Sequence, residues 1–467
     1  MEEHTYAIRP KNLLILAAAG VIVALALLLP APSGLSEEGK RMLGILVVAA
    51  ILWFTEAIPL AITGLLIMAL QPLMEVAEPA EVFAAFGNNA VFFLIGAFAL
   101  AAAIEKHGLH QRAALRFLRL FERSPRFFSF GIMLNSALLS FIIPEHAVVA
   151  LLLPIIMHIL ANMALIPKQS NFGKVTTMAI AFGASIGSLG TLIGGARNPL
   201  MIGFLQETLG IQVDFVGWMR VSMPIVFITL PIVWLLLVRT FPIEVKDLTE
   251  VKRTIEEDVR SLGKMEAGSK RTIIIYALTI LAWIFFAHDI GLGVIAIAGG
   301  IALFIMNVLS WEDLEERMNW GIILMYGGAI TMGVRLEKTG AAKWIADLML
   351  KIGGGNPYVI ILLLIVLSIL ITELMSNTGA VAMLLPIGIG IAQAVDRISV
   401  EVASFAIALS AGLAFMLVVS TPGNLIAYSS GYFSPRDLLR VGVWAVIVSI
   451  VVIFTVAISY WRLLGLW

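Results

Sequence analysis

The stretch Thr372-Glu373-Leu374-Met375-Ser376-Asn377-Thr378-Gly379-Ala380 sets three consecutive small polar side chains inside a long apolar run. At the tip of a helical hairpin, such a group presents two hydroxyls, an amide and free backbone groups together. Backbone carbonyls and the Asn oxygen suit a hard cation such as sodium. Backbone amides, the Asn nitrogen and the hydroxyls suit a carboxylate or sulfate oxygen. The bland alternative is a capped, internally satisfied bend, but polar groups at membrane depth are functional by default. A second interruption, Ser420-Thr421-Pro422-Gly423-Asn424, breaks the apolar span 401–430, and its proline and glycine free further carbonyls and amides. Either pentapeptide alone is a weak signal; their pairing within one half of the chain is a strong one.

The elements that carry these motifs are transmembrane helices. Of the 467 residues, 60% are hydrophobic and 13% charged, whereas a soluble surface needs about 25% charged residues. A bilayer core takes roughly 20 apolar residues per helix, and runs of that kind recur from Leu13 to Leu463. Spans are expected near 12–30, 42–54, 57–72, 91–104, 174–206, 217–238, 272–288, 291–309, 319–336, 401–430 and 437–463. The fold class is an all-α polytopic membrane protein with about 11 transmembrane helices. The first run is too long for a signal-peptide core and lacks a clear cleavage site, so it reads as a retained helix. Two stretches, 127–163 and 357–394, are too long for one span and polar in the middle. Each reads as a re-entrant hairpin, a backbone tolerated at depth where protein or water satisfies its amides.

Thirty-one basic and 31 acidic residues cancel, leaving no global field to attract nucleic acid. Cysteine is absent, which removes disulfides, thiol catalysis and thiolate metal sites. No nucleophile–base set, metal cluster or Walker-type loop lies in the spans, so an enzyme reading and an organic cofactor are not expected. A channel would show rings of charge along a continuous pore lining. The segment 106–126 carries six basic residues against Glu122, which places it in the cytoplasm by the positive-inside rule. The loop 75–81, with three glutamates and no base, then lies outside. By parity the N-terminus is cytoplasmic and the C-terminus extracytoplasmic, in a multi-pass inner (plasma) membrane protein.

The chain divides into two similar halves. A span ends in Ile104-Glu105-Lys106-His107-Gly108 and another in Leu336-Glu337-Lys338-Thr339-Gly340, each followed by an amphipathic helix. Next comes a hairpin, ending in Leu-Leu-Pro-Ile at 152–155 and 384–387, then an interrupted span, with interruptions at 183–199 and 420–424. The expected organisation is 1–90, N-terminal helices; 91–239, first repeat with hairpin 127–163 and broken helix 174–206; 240–271, cytoplasmic connector. It continues with 272–318, a helix pair, and 319–467, second repeat with hairpin 357–394 and broken helix 401–430. An odd number of spans between matching elements makes the repeats inverted. Interrupted helices at matching places in inverted halves point to a transport site.

The Ser-Asn-Thr tip followed by Leu-Leu-Pro, the Thr-Pro-Gly-Asn break and Thr55-Glu56-Ala57-Ile58-Pro59-Leu60 resemble the divalent anion/sodium symporter family, over essentially the whole chain. The resemblance implies a sodium-coupled carrier of a dicarboxylate, tricarboxylate or sulfate, built as a homodimer. Segments 1–90 and 272–318 would be a fixed scaffold, with the rest moving like an elevator. It implies that Ser376, Asn377 and Thr378 line the substrate. It also implies that Thr372, Met375, Asn377 and the backbone near Ser420 and Pro422 hold one sodium.

The first half departs from that pattern. Aligning Pro154 with Pro386 places Pro144, Glu145 and His146 where Ser-Asn-Thr would stand, and the first break reads Gly195-Ala196-Arg197-Asn198. An unpaired buried charge costs several kcal/mol, so Glu145 and Arg197 are expected to pair. Arg197 would then act as a fixed cation beside the anion, and a protonated His146 would add a donor. Alternatives are a purely structural pair, a proton site at Glu145 or His146 that gives a proton-coupled carrier or an exchanger, and a cation antiporter or arsenite-type carrier of the same superfamily. His107 and His110 are expected to be solvated at the interface, and His158 to be a satisfied interior histidine. Glu56 is expected to bond a freed amide. Glu373 is left without a role.

Overall fold

The computed structural model describes residues 10–353, 355–395 and 397–467, and every regular element among the described residues is a helix, without a strand. Six helices are long and apolar enough to cross a membrane, among them Asn89–Lys106, Phe215–Thr240 and Ala267–Ile290, and five shorter ones are apolar. The shorter ones belong to the hairpin and broken-helix regions or pair with longer neighbours.

Both hairpins are present as helix–turn–helix units. The first runs Pro125–Leu139 and returns as Glu145–Asn162; the second runs Pro357–Thr372 and returns as Asn377–Gln393. Local chemistry sets their ends. Ser124 accepts from the Phe127 amide with Pro125 behind it, and Asn356 accepts from the Tyr358 and Val359 amides with Pro357 behind it. Ser376 caps the second returning arm by accepting from the Gly379 amide. Pro144, with no hydroxyl to offer, opens the first.

The interrupted spans are two helices each: Asn171–Gly187 with Arg197–Leu209, and Val400–Ser410 with Pro422–Ser429. The second interruption is longer than the expected 420–424; it begins at Ala411. Glu373 is the cause, because its carboxylate accepts from three consecutive amides there, Phe415 (2.7 Å), Met416 (2.9 Å) and Leu417 (3.1 Å). Amides given to a carboxylate are lost to the helix ladder.

Equivalent hydrogen bonds organise the two breaks. Asn198 Nδ2 donates to the carbonyls of Ser188 and Thr191, ten and seven residues upstream. Asn424 Nδ2 donates to Ala414 and Leu417, again ten and seven residues upstream. The lower pieces then cross over. Arg197–Leu209 packs on the second hairpin's returning arm, and Pro422–Ser429 packs on the first's.

Each half also leans on the helices outside it through one glycine. A Cβ on Gly96 would lie 2.2 Å from the Ala296 carbonyl, and one on Gly328 would lie 2.3 Å from the Gly64 carbonyl. Both positions require the bare backbone, which lets Asn89–Lys106 close on Leu292–Ile305 and Trp320–Lys338 close on Leu60–Leu73.

Polar contacts sort the loops into two ends. At one end Arg41 pairs with Glu75, Arg335 with Glu81, and Ser36 donates to the Thr339 carbonyl. At the other, Lys106 pairs with Asp313 and Lys174 with Asp437, while Arg112 donates to the carbonyls closing Thr249–Ser261. Lys106, 2.6 Å away, holds the Asp313 carboxyl down at about 2, helped by the Ser310 amide. Each of these contacts joins helix ends or loops that the expected span order puts on the same side.

Candidate functional site

The two hairpin tips and the first break converge on a cavity of about 430 Å³. Pro144, Glu145, His146, Gly194, Gly195 and Arg197 line it from the first half; Ser376, Asn377, Thr378 and Pro422 line it from the second. Leu60, Phe98, Ile322 and Met325 close its apolar side. The site residues expected to contact the substrate are thereby brought to one wall system. Its titratable lining side chains are Glu145, His146 and Arg197.

Glu145 and Arg197 are both buried, at 8% and 2% exposure. Their closest approach, Arg197 Nη1 to Glu145 Oε2, is 4.0 Å, and the Ser188 hydroxyl mediates between them. Arg197 Nη2 donates to Ser188 Oγ at 2.7 Å, and Ser188 Oγ lies 3.0 Å from Glu145 Oε2. Ser188 Oγ is also 2.7 Å from the Ser185 carbonyl, so one hydroxyl proton serves two acceptors. Gly195 and Gly412, one from each break, flank the guanidinium so closely that a Cβ would meet its nitrogens at 2.6 Å and 2.2 Å. Arg197 Nε is buried without a partner.

The second half contributes oxygens. Thr372 Oγ1 lies 2.7 Å from Asn377 Oδ1 and 2.8 Å from the Ala411 carbonyl. Three oxygens therefore share one proton, an arrangement that a small hard cation resolves by taking all three as ligands. Thr372 and Asn377 thus meet as expected, with Ala411 as an unforeseen third. Ser420 is tied elsewhere, to the Leu417 carbonyl (2.7 Å) and to Asn424 Nδ2 (3.1 Å). Met375 is buried with its methyl against Gly379, and Pro422 faces the cavity. The described residues hold no cluster of three or more His, Cys, Asp or Glu fit for a metal ion. The donors on offer are neutral oxygens, the chemistry of an alkali cation and not of a transition metal.

Asn377 joins the halves: its Nδ2 donates to Glu145 Oε1 at 3.3 Å. Both ends of the Asn377 amide are therefore engaged by protein.

Sequence reasoning missed Ser188, Ala411 and the Glu373 clamp. Ser188 lay within the expected interruption but gave no signal apart from its type. Four minor expectations are corrected. His158 is half exposed and sits 3.6 Å from Asp258, at the base of the hairpin. His107 and His110 each contact a backbone carbonyl at 3.2 Å, of Val308 and Ile104, and are not left to solvent. The Glu56 carboxylate is exposed and makes no hydrogen bond among the described residues; Glu56 ends its helix with φ at +48°.

Comparison with known proteins decides the family. The family described as "Sodium:sulfate symporter transmembrane region" matches residues 10–467. The chain belongs to that family. It is a membrane transporter, not an enzyme. Among its relatives is the sodium-dependent dicarboxylate transporter SdcS of Staphylococcus saprophyticus, 31% identical over 462 residues, covering 93% of this chain and 89% of the relative. SdcS of Staphylococcus aureus strain USA300 is also 31% identical, over 465 residues, with 93% and 88% covered. Two solved structures share the fold at 15% identity. The Alcanivorax borkumensis YdaH transporter has a TM-score of 0.53 with 97% of each chain covered. Neisseria gonorrhoeae MtrF, from a class of antimetabolite efflux pumps, has a TM-score of 0.54 with 94% of each covered.

Proposed function

We propose that this protein is a secondary active transporter that moves a small divalent anion, a dicarboxylate first and a tricarboxylate or sulfate second, together with sodium. The observation that carries this reading is the cavity where both hairpin tips meet. It offers a guanidinium, hydroxyls and an amide to an anion, beside a three-oxygen cluster suited to sodium. The printed names of the SdcS relatives support both the sodium and the dicarboxylate.

In this reading sodium is a co-substrate held by Thr372, Asn377 and the Ala411 carbonyl, with Met375, Ser420 and Pro422 at the rim of the site. Ser376, Asn377, Thr378, His146, Arg197 and Pro422 contact the anion. Arg197 is a fixed cation where the first half would otherwise need a mobile one. Glu145 holds Arg197 through Ser188, so the guanidinium is not left alone in a low-dielectric site. The repeats are inverted in the membrane, the N-terminus is cytoplasmic and the C-terminus extracytoplasmic. The hairpins and broken helices of 91–239 and 319–467 move as an elevator against helices 1–90 and 272–318, in a homodimer. Both lower pieces pack on the opposite hairpin, which supports motion of the whole group as one body.

Thermal-shift screening of dicarboxylates, tricarboxylates and sulfate, with and without sodium, tests the ligand class. A shift for a divalent anion that requires sodium is expected. Stabilisation by cations alone, with no anion among those tested, contradicts it.

A further inference from the structure

We propose that the preferred cargo is a dicarboxylate whose two carboxylates are close together and which bears an apolar side group, as in an alkyl- or aryl-substituted succinate. The side group lies on a wall formed by Leu60, Leu94, Ala97, Phe98, Ile322 and Met325. The inference rests on the anion-transporter reading above and adds to it the shape and polarity of the cargo.

The cavity is two-sided. The groups assigned to the anion, among them Arg197, Asn377 and Thr378, come from the hairpin tips and the breaks. The other side comes from three helices, Leu60–Leu73, Asn89–Lys106 and Trp320–Lys338, and the side chains they present to the cavity are hydrocarbon or thioether. Asn319, just ahead of the third helix, is the one polar side chain on that side among the described residues. Its oxygen accepts from the Ile322 amide at 3.2 Å, as a helix cap.

Spacing and close packing build this wall. Leu94, Ala97 and Phe98 stand three and four residues apart and share one face of their helix, and Ile322 and Met325, three apart, share a face of theirs. A Cβ on Gly64 would fall 2.8 Å from Met325 Cα, so the bare backbone there lets the helix that carries Leu60 close on the one that carries Met325. Leu94, Phe98 and Met325 are buried, so the wall is enclosed.

Water on such a wall is poorly held, because an ordered water needs about two to four polar partners. Unsubstituted succinate and sulfate bring their oxygens to the tips and leave that water in place. The cavity, about 430 Å³, falls in the range that holds much larger ligands. An apolar side group displaces the loosely held water at a gain in affinity. One buried CH₂ is worth about fourfold, and a buried phenyl ring about tenfold or more. Both carboxylates stay at the tips, since a long straight-chain diacid would carry its second charge onto hydrocarbon, where it is costly.

Calorimetric titration of the full-length protein in detergent, at saturating sodium, compares succinate, methylsuccinate, benzylsuccinate and phenylpropanoate. Methylsuccinate is expected to bind about fourfold tighter than succinate, and benzylsuccinate about tenfold tighter or more. Phenylpropanoate, which keeps the ring and loses one carboxylate, is expected to bind about tenfold more weakly than benzylsuccinate. Ile322→Gln, at a half-buried position, puts an amide on the wall and is expected to lower the preference for benzylsuccinate over succinate. Leu60→Gln, also half-buried and on a different helix, is expected to do the same, so that either variant decides if the other fails to fold. Benzylsuccinate binding no tighter than succinate shows a wall that only seals the cavity; it overturns the inference and leaves the dicarboxylate reading standing. An unchanged preference in the folded variants overturns the assignment to this wall. Phenylpropanoate binding as tightly as benzylsuccinate overturns the need for two carboxylates. Failure of all these anions, and of tricarboxylates and sulfate, to bind in sodium overturns the transporter reading itself.

Discussion

Glu145 and Asn377 stand at equivalent positions 232 residues apart, and Asn377 Nδ2 donates to Glu145 Oε1 at 3.3 Å. Matching tips of the two halves thus touch each other. One supplies a charge, and the other an amide whose oxygen turns to Thr372. A single residue consequently faces Glu145 with its nitrogen and Thr372 with its oxygen, which in the proposed reading are the anion side and the sodium side.

Removing that residue separates function from folding. Asn377→Ala is expected to abolish uptake while the purified protein stays monodisperse, with a stability loss of about 1–3 kcal/mol for the orphaned partners. Uptake at the wild-type rate, measured in proteoliposomes, contradicts the site.

The buried pair predicts a non-additive double variant. Arg197→Gln alone strands Glu145, and Glu145→Gln alone strands Arg197, which costs roughly 3–5 kcal/mol when a buried charge loses its partner. The double variant is expected to recover most of that loss in a thermal melt, without recovering uptake. Additive losses show that the two side chains act independently.

The Glu373 clamp predicts a sodium phenotype. Glu373 and its neighbour Thr372 bind the same break, through the 415–417 amides and the Ala411 carbonyl. Glu373→Gln turns an NH₂ group toward a backbone N–H and lets the Ala411 carbonyl drift. The half-saturating sodium concentration is expected to rise about tenfold, since one weakened charge-assisted contact is worth about 1.5 kcal/mol. The KM for the anion at saturating sodium should move much less. Equal shifts in both indicate general destabilisation.

A glycine holds the fixed cation in place. A Cβ at Gly412 falls 2.2 Å from Arg197 Nη2, so Gly412→Ala must displace the guanidinium. Anion affinity is expected to fall at least tenfold with sodium affinity less affected; unchanged anion affinity dissociates Arg197 from the substrate.

Much of this arrangement was legible before the fold was. The hairpin expected at 357–394 ends within a residue of Pro357–Gln393, because proline at its first turn and the polar tip are local signals. The Glu145–Arg197 pairing followed from the cost of burying either charge alone. What stayed hidden is non-local. Ala411 and Gly412 continue an apolar helix on paper; a carboxylate some forty residues earlier pulls the following amides out of the ladder. Ser188 as mediator was invisible for the same reason, since its two charged partners come from separate elements. His158 looked interior only because its helix is apolar, and the connector helix Thr249–Ser261 leaves it at the edge, facing Asp258.

Sodium-gradient-driven accumulation of labelled succinate in proteoliposomes is the most direct measurement. The account predicts concentrative uptake that collapses when the sodium gradient is removed, with a Hill slope for sodium near one. It also predicts no passive conductance. Accumulation that proceeds equally without sodium, or an ohmic anion current, contradicts it.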